Sequence, residues 1–379
     1  MVQKLNVGII GLGYIGKVHA QAYRSIPLAF PAALVLPELK AVWRTSLGRD
    51  EEFIRSCNFE TITTDLDEFF RAPLDLIDVC TPTGMHTEFV TAAIQHGKAI
   101  YCEKPLGLHL ADARQMSELA ENSGVPTRVA FVMRYIPAIR QMKNLLDSGE
   151  LGEVLNFRAH MFHSSYLAPN RPMAWRLRKF QSGGGAFADL GAHLLDLVQY
   201  LLGNPRTIQA QMRTFIKQRP VKAGSSEMET VDVDDWVDCT LELDNGVLGQ
   251  LEAARTAGGI PDETVFQVFC RKGSLFFNGN SPEMLSVYDL QQDKWIRGGF
   301  EERPQGNEHP ISSIWPPSKV SMGYLLNAHL ACQYDFLQSL VSGKHCGPDF
   351  RSAVNVQQVL EAGYASAAKS GEKIALLME

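Results

Sequence analysis

Leu5-Asn6-Val7-Gly8-Ile9-Ile10-Gly11-Leu12-Gly13-Tyr14-Ile15-Gly16 decides the fold. Its first half is a short apolar run rich in β-branched residues, and it ends in G-x-G-x-x-G. Such a run reads as a buried strand, and the glycines as a tight turn opening a helix. There Gly11 allows the turn, Gly13 lets backbone approach a pyrophosphate, and Gly16 lets helix and strand pack closely. The phosphates would lie at the helix amino end, beside backbone N–H groups and the residues Tyr14 and Ile15. Glycine turns also join strands to helices for packing alone. This one carries weight because a strand–helix–strand series follows it.

Working outward, Leu39–Trp43, Leu74–Cys80, Ala99–Cys102 and Arg128–Met133 are strand candidates. Helical patterns at Val18–Arg24, Leu66–Arg71, Met85–His96 and Ala111–Ser123 alternate with them, which implies parallel pairing through crossover helices. The character changes near residue 130. Val154–His163, Thr207–Phe215, Trp236–Leu243, Val247–Ala253, Val265–Cys270 and Leu275–Phe277 follow one another as strands. Asp244-Asn245-Gly246 and Arg271-Lys272-Gly273 supply hairpin turns. The expectation is a Rossmann domain over 1–130 and an α/β domain over 131–379. The second is built on an open, mostly antiparallel sheet, covered on one face by helices near Ala186–Leu202, Leu325–Ser342 and Ala353–Ser370. The last helix is expected to pack back toward the first domain. Three stretches read as loops: 26–37, 218–235 and 303–319.

Composition fits this reading. The 379 residues suffice for two or three domains, and a hydrophobic share of 45% with 21% charged is ordinary for a packed globular chain. Lys plus Arg total 36 against 42 Asp plus Glu, so the net charge of −6 argues against a nucleic-acid surface. No apolar run is long enough for a membrane span, and no secretory signal is evident. The 7 cysteines form no C-x-x-C pair, which suits reduced thiols in a cytoplasm better than disulfides or a zinc site. Cys80 and Cys102 read as packed thiols. The acids Glu227, Glu229, Asp232, Asp234 and Asp235 lack ligand spacing and read as a solvated loop; no metal site is expected.

The end of the second strand separates the nicotinamide cofactors, because an acid there accepts from a ribose hydroxyl and an arginine pairs with a 2′-phosphate. Here Trp43-Arg44-Thr45-Ser46 holds no acid. Arg44 leans the expectation toward NADP over NAD, unless it only stacks on adenine or meets solvent.

Two further motifs carry chemistry. Cys80-Thr81-Pro82 ends one strand and is followed by His86; one crossover later comes Tyr101-Cys102-Glu103-Lys104-Pro105. Further on stands Gly183-Gly184-Gly185-Ala186-Phe187-Ala188-Asp189-Leu190-Gly191-Ala192-His193. With the glycine turn, in this order, these motifs resemble the glucose-fructose oxidoreductase, inositol dehydrogenase and rhizopine-catabolism (Gfo/Idh/MocA) family. Met133-Arg134-Tyr135-Ile136-Pro137, Trp175-Arg176 and Pro348-Asp349-Phe350 extend the resemblance over nearly the whole chain. It implies a sugar or polyol substrate, Thr81, Pro82, His86, Glu103, Trp175 and Arg176 near the cofactor, and Arg134, Tyr135 and His163 near the substrate.

The residues can be argued on their own chemistry. Lys104 stands at the carboxyl edge of a parallel strand, where ligands sit in open α/β sheets. Its ammonium can stabilise an alkoxide, and a cis Lys104–Pro105 bond would fix its direction. A surface lysine beside a turn proline is the plainer alternative. Asp189 and His193 stand four residues apart, on one face of a helix. His193 can take an alcohol proton near neutrality while Asp189 orients it or holds a neighbouring hydroxyl. A helix-start charge and a satisfied interface histidine would look the same in sequence. His160 and His163 lie on opposite faces of their strand, so at most one faces a pocket. Trp175 suits either ring stacking or core, and Asp196 reads as structural.

The expectation is therefore an NAD(P)-dependent oxidoreductase moving hydride between a secondary alcohol and nicotinamide in a cleft between the domains. An apolar open sheet face would make it a dimer or tetramer. A redox-assisted sugar lyase and a non-catalytic regulator are the alternatives.

Overall fold

The computed structural model describes residues 2–48, 50–298 and 308–377. They divide into two compact units: Met1–Leu106, Ala111–Tyr135 and Pro304–Arg351 form one, and Gly107–Leu110, Ile136–Arg303 and Ser352–Glu379 the other. The chain thus crosses between units at Tyr135/Ile136, and a late segment returns to the first. The returning helix is not the last one, as expected, but the one before it.

In the first unit, β1 (Gln3–Ile10), β2 (Val35–Trp43), β3 (Thr61–Thr63), β4 (Leu76–Val79), β5 (Ala99–Cys102) and β6 (Thr127–Val129) form a parallel sheet in the order β3-β2-β1-β4-β5-β6. Both faces are covered, so β4 and β5 are buried at every position. The crossover helices are α1 (Tyr14–Ala29), α2 (Glu51–Cys57), α3 (Leu66–Arg71), α4 (His86–Gln95) and α5 (Leu110–Ser123). α1 runs through Pro27 because Ile26 and Ala29 bury its apolar face, and β2 starts at Val35. The expected 26–37 loop therefore shrinks to 30–34. The order reverses between β1 and β4, which is the switch point of a doubly wound sheet.

In the second unit α6 (Pro137–Ser148) was not anticipated, and it leads into β7 (Val154–Phe162). Then come α7 (Lys179–Ser182), α8 (Ala192–Leu202), β8 (Pro205–Arg213), the short pair β9 (Gln218–Pro220) and β10 (Met228–Thr230), β11 (Trp236–Leu243) and β12 (Leu248–Ala254). β13 (Glu263–Cys270), β14 (Gly273–Asn278), β15 (Leu285–Asp289) and β16 (Lys294–Gly298) extend the sheet. The last two also escaped the sequence reading. α9 (Ile311–Ile314) and α10 (Tyr324–Ser342) belong to the first unit, where α10 packs on α1. α11 (Phe350–Ala368) and β17 (Ile374–Ala375) end the chain, with α11 in the second unit from Ser352 on. Of the expected 303–319 loop, residues 303–307 lie outside the described residues, and the remainder includes α9.

Among the described residues the large sheet has nine strands, β16-β15-β14-β13-β7-β12-β11-β8-β17, antiparallel except for β7 with β12. Its register explains its two faces. Ile208, Leu241, Phe157, Val268 and Leu275 align across neighbouring strands and are buried. One residue along, Gln209, Thr240, Gln250, Arg158 and Gln267 align and point the other way, exposed or half-buried. Alternation puts one row in the core and the next outside. The outward face is thus largely polar, not the apolar surface expected. No described helix is long and apolar enough to cross a membrane.

Candidate active site

The parallel register of the first unit lines up its candidate residues along one sheet edge. Ile10, Trp43, Val79 and Cys102 are aligned neighbours. The next residues, Gly11, Arg44, Cys80 and Glu103, therefore stand in one row beyond the carboxyl ends. Backbone bonds hold that row: Gly11 N–H donates to Trp43 O at 2.9 Å, Cys80 to Ile10 at 2.8 Å and Glu103 to Val79 at 3.0 Å. Lys104 follows at the same edge, and the Lys104–Pro105 bond is cis, as expected.

The glycine turn has the shape its sequence requires. Gly11 sits at φ +96°, and a Cβ on Gly16 would stand 2.1 Å from the Gly11 carbonyl oxygen. Gly13 is different: a Cβ there would meet nothing within 4 Å. Its lack of a side chain is not explained by protein packing, and space is left where a pyrophosphate would approach. α1 begins without a side-chain cap and without an acid in its first turn, so its amino end suits an anion. The turn of Gly11, Gly13, Tyr14, Ile15 and Gly16, with Thr81 and Pro82 at the adjoining strand end, therefore has a shape that a dinucleotide fits.

Burial bears on several of the expected contacts. His86 is buried, with its ring nitrogens 3.1 Å from Leu106 O and 3.0 Å from Thr81 O. It ties two loops of the edge together, and burial pushes its pKa down. Glu103 is buried against His19 and also accepts the Lys104 backbone N–H at 3.2 Å. Tyr135 is fully buried, where its hydroxyl donates to Asp335 at 2.9 Å beside Arg128. Arg134, its neighbour, is half-buried. Arg44 is buried, its guanidinium 3.6 Å from Asp50, which also accepts from Lys17 at 2.6 Å. Cys80 and Cys102 are buried thiols, pushed well up by burial.

The second unit builds the other cluster. Its base is Asp234, one of the acids read as solvated. Asp234 and Asp235 are buried because they take up backbone amides. The Asp234 carboxylate accepts from Gly185 N–H at 2.8 Å, Phe187 N–H at 2.7 Å and the Tyr364 hydroxyl at 2.9 Å. Asp235 accepts from Phe215 and Ile216 N–H at 2.8 and 3.0 Å. Glu229 pairs with Arg178, and Asp232 caps α7 through Lys179 N–H at 2.7 Å. This is why Gly184 and Gly185 must be glycine. A Cβ would fall 1.9 Å from the Tyr364 hydroxyl at the first and 1.9 Å from Asp234 O at the second.

From that anchored turn Phe187–Gly191 winds as a π-helical turn before α8, a device that re-aims side chains. It presents Asp189 half-buried, with His193 in the first turn of α8, also half-buried. Arg255 Nη2 donates to Asp189 at 3.1 Å, and Arg176 Nε lies 3.8 Å away. Arg176 in turn stacks on Trp175 at 4.2 Å. Arg255 is almost fully buried and donates its other arm to Arg176 O at 3.3 Å. Burial works against its charge, but Asp189, Tyr166 and Asp234 hold its pKa above normal. Sequence reasoning missed Arg255 and Tyr364, since each is a lone residue at the end of a strand or within a helix and no motif frames it. His163 Nδ1 accepts from the Ser165 hydroxyl at 2.8 Å, while His160 faces the other way toward Glu263 at 3.0 Å. Asp196 is buried, as a structural residue would be.

Comparison with known proteins places the chain in a family. Residues 5–131 match the model of an oxidoreductase family with an NAD-binding Rossmann fold, and residues 139–276 match the GFO/IDH/MocA C-terminal domain. Levoglucosan dehydrogenase of Pseudarthrobacter phenanthrenivorans is 31% identical, over 97% of each chain. Myo-inositol 2-dehydrogenase of Thermotoga maritima is 28% identical over 77% of this chain and 81% of its own. A solved levoglucosan dehydrogenase in complex with NADH and levoglucosan superposes over 100% of both chains, with TM-score 0.90 and 30% identity. With both its units matched, the chain belongs to the Gfo/Idh/MocA family of NAD-binding oxidoreductases.

Proposed function

We propose that the chain oxidises a secondary alcohol of a pyranose-like sugar, with levoglucosan and related anhydrosugars as the first substrates to try. The observation that carries this is the full-length similarity to a levoglucosan dehydrogenase, joined to an Asp189 carboxylate held by two guanidiniums. An ionised carboxylate fixed in this way suits a neighbouring sugar hydroxyl that must be held in one orientation.

Bound NAD supplies the hydride acceptor. His193 takes the hydroxyl proton while the hydrogen on the carbinol carbon departs with its electron pair as hydride, so that a carbonyl remains. Lys104 donates a hydrogen bond to the reacting oxygen as negative charge builds on it. Asp189 accepts from the adjacent hydroxyl, with Arg255 and Arg176 keeping its carboxylate charged and aimed.

NAD is the preferred cofactor in this reading, against the expectation drawn from Arg44. Asp50 stands among Arg44 and Lys17, and its charge would repel a 2′-phosphate.

The test is to mix the chain with NAD and a panel of levoglucosan, hexoses, xylose and inositols and follow reduced nicotinamide. Net reduction with at least one sugar is expected, lost in Lys104→Ala and His193→Ala with cofactor affinity retained. Sugar cleavage without net reduction would support the redox-assisted lyase instead. Tight NAD binding with neither reaction would leave a regulator.

A further inference from the structure

Behind the carboxyl edge of the parallel sheet lies a set of ionisable side chains that the roles above do not use. His19, on α1, is fully buried. Its Nδ1 lies 3.0 Å from both carboxylate oxygens of Asp78 on β4, and its Nε2 lies 3.0 Å from Glu103 Oε1 just beyond β5. The Cys80 thiol is 3.1 Å from Nδ1 and donates to Asp78 at 3.2 Å. From α10, Gln333 reaches Asp78 at 3.5 Å and the His329 ring stands 4.7 Å from that of His19. Tyr101 on β5 meets the ring edge-on at 5.4 Å, and Tyr23 on α1 faces Asp78 and Cys80. Glu103 carries the arrangement outward, since its second oxygen accepts the Lys104 backbone N–H at 3.2 Å.

Two carboxylates buried on either side of one ring need a cation between them, because unpaired buried charge is costly. A neutral imidazole donates from one nitrogen only, whereas an imidazolium donates from both. We propose that His19 is a positioning residue, an imidazolium bridging Asp78 and Glu103 that locks Glu103 in place and so fixes the chain direction at Lys104. The proposal rests on the role given above to Lys104. Charge balance supports it: burial opposes the imidazolium, yet Asp78 and Cys80 raise the His19 pKa well above normal. The Glu103 carboxyl is held down to about 2: burial works the other way, and the hydrogen bond and charge of His19, with the charges of His329 and Lys104, together outweigh it. The bridge ties the helix of the glycine turn to two strand ends at once, which a single hydrogen bond could not do.

The test has two arms. In nitrogen-edited NMR of the full chain, the histidine signal missing from His19→Gln is expected to show both ring nitrogens protonated at pH 7, above the ordinary histidine pKa. A singly protonated ring at pH 7 overturns the bridge. In the second arm, His19→Gln and Glu103→Gln are assayed with NAD and levoglucosan well below their Tm. The expected result is a fall in kcat of about tenfold or more with NAD affinity by calorimetry changed less than threefold, the signature of a misplaced reacting group. A lower Tm with unchanged kcat overturns the positioning role and leaves a structural one. Should His19→Gln fail to fold, the isosteric Glu103→Gln decides this arm alone. Lys104→Ala runs alongside: if it turns over normally, the role of Lys104 falls and positioning with it, while the NMR arm still reads the charge of His19. If Lys104→Ala is inactive and both glutamine variants are normal, only the present proposal fails.

Discussion

Replacing Asp234 by Ala removes the acceptor that holds the turn of the second unit. Its carboxylate takes the amides of Gly185 and Phe187 at 2.8 and 2.7 Å and the Tyr364 hydroxyl at 2.9 Å. Asp234 is only 6% exposed, so water cannot readily replace it. Phe187 N–H and the Tyr364 hydroxyl lose their acceptor, while Gly185 N–H keeps the Tyr364 oxygen at 3.1 Å; at about 1–3 kcal/mol for each buried donor left unpaired, the two give about 2–6 kcal/mol. The desolvation cost of the lost carboxylate offsets part of this, and about 3 kcal/mol is a fair net value. For a unit of this size that corresponds to a fall in Tm of about 6–12 °C. The same turn leads into the π-helical segment bearing Asp189, so sugar turnover should fall as well. Asp234→Asn keeps the shape but turns an N–H toward one of the two amides, and should lie between. Calorimetric melting together with the reduced-nicotinamide assay reads both effects. A Tm within about 2 °C of the parent and near-normal turnover would refute the claim that this carboxylate builds the turn.

Gly13→Val should leave Tm unchanged, since no protein atom lies within 4 Å of a Cβ there, yet weaken NAD about tenfold or more by occupying ligand space; equal affinity by calorimetry would contradict the cofactor placement. Arg255→Met should lower kcat/KM for sugar about 10–100-fold with NAD affinity intact, and Arg255→Lys should recover part of it. Additive losses in Arg255→Met/Asp189→Asn would show that the two residues act separately. Glu103 carries a depressed carboxyl at about 2 against an ordinary 4.5, so its contribution is present above pH 4.5 and lost as pH falls toward 2. The shift corresponds to at most about 3 kcal/mol, and Glu103→Gln should flatten the fall in Tm below pH 4.5; parallel curves would argue against it. Asp50→Asn should shift kcat/KM toward NADP, because a carboxylate near Arg44 and Lys17 is removed.

Local signals fixed much of the fold in advance. The β1 run, the glycine turn and the alternating segments identify a parallel sheet because each element announces itself over a few residues. The strands β7, β8 and β11 to β14 do so through alternation and hairpin turns, whereas β9 and β10 lie in the stretch read as a loop. Failures came where context overrode local chemistry. Pro27 suggested a loop, but buried neighbours keep α1 going past it. The acids of 218–235 suggested solvent, but Asp234 and Asp235 are consumed by backbone amides. Strand β16 is mostly exposed and shows no alternation to read.

The candidate site divides along the same line. Sequence by itself determined the glycine turn, Lys104 at a strand end, and the Asp189–His193 spacing, since these depend on neighbours within a few residues of one another. Only the tertiary structure decided that Tyr135, His86 and Glu103 are buried, that Arg255 holds Asp189, and that His19 bridges Asp78 and Glu103. Those partners are separated by 66 residues in one case and by 59 and 84 in the other. Charge and hydrogen bonding act through space, and no local pattern records which distant side chain will supply the opposite charge.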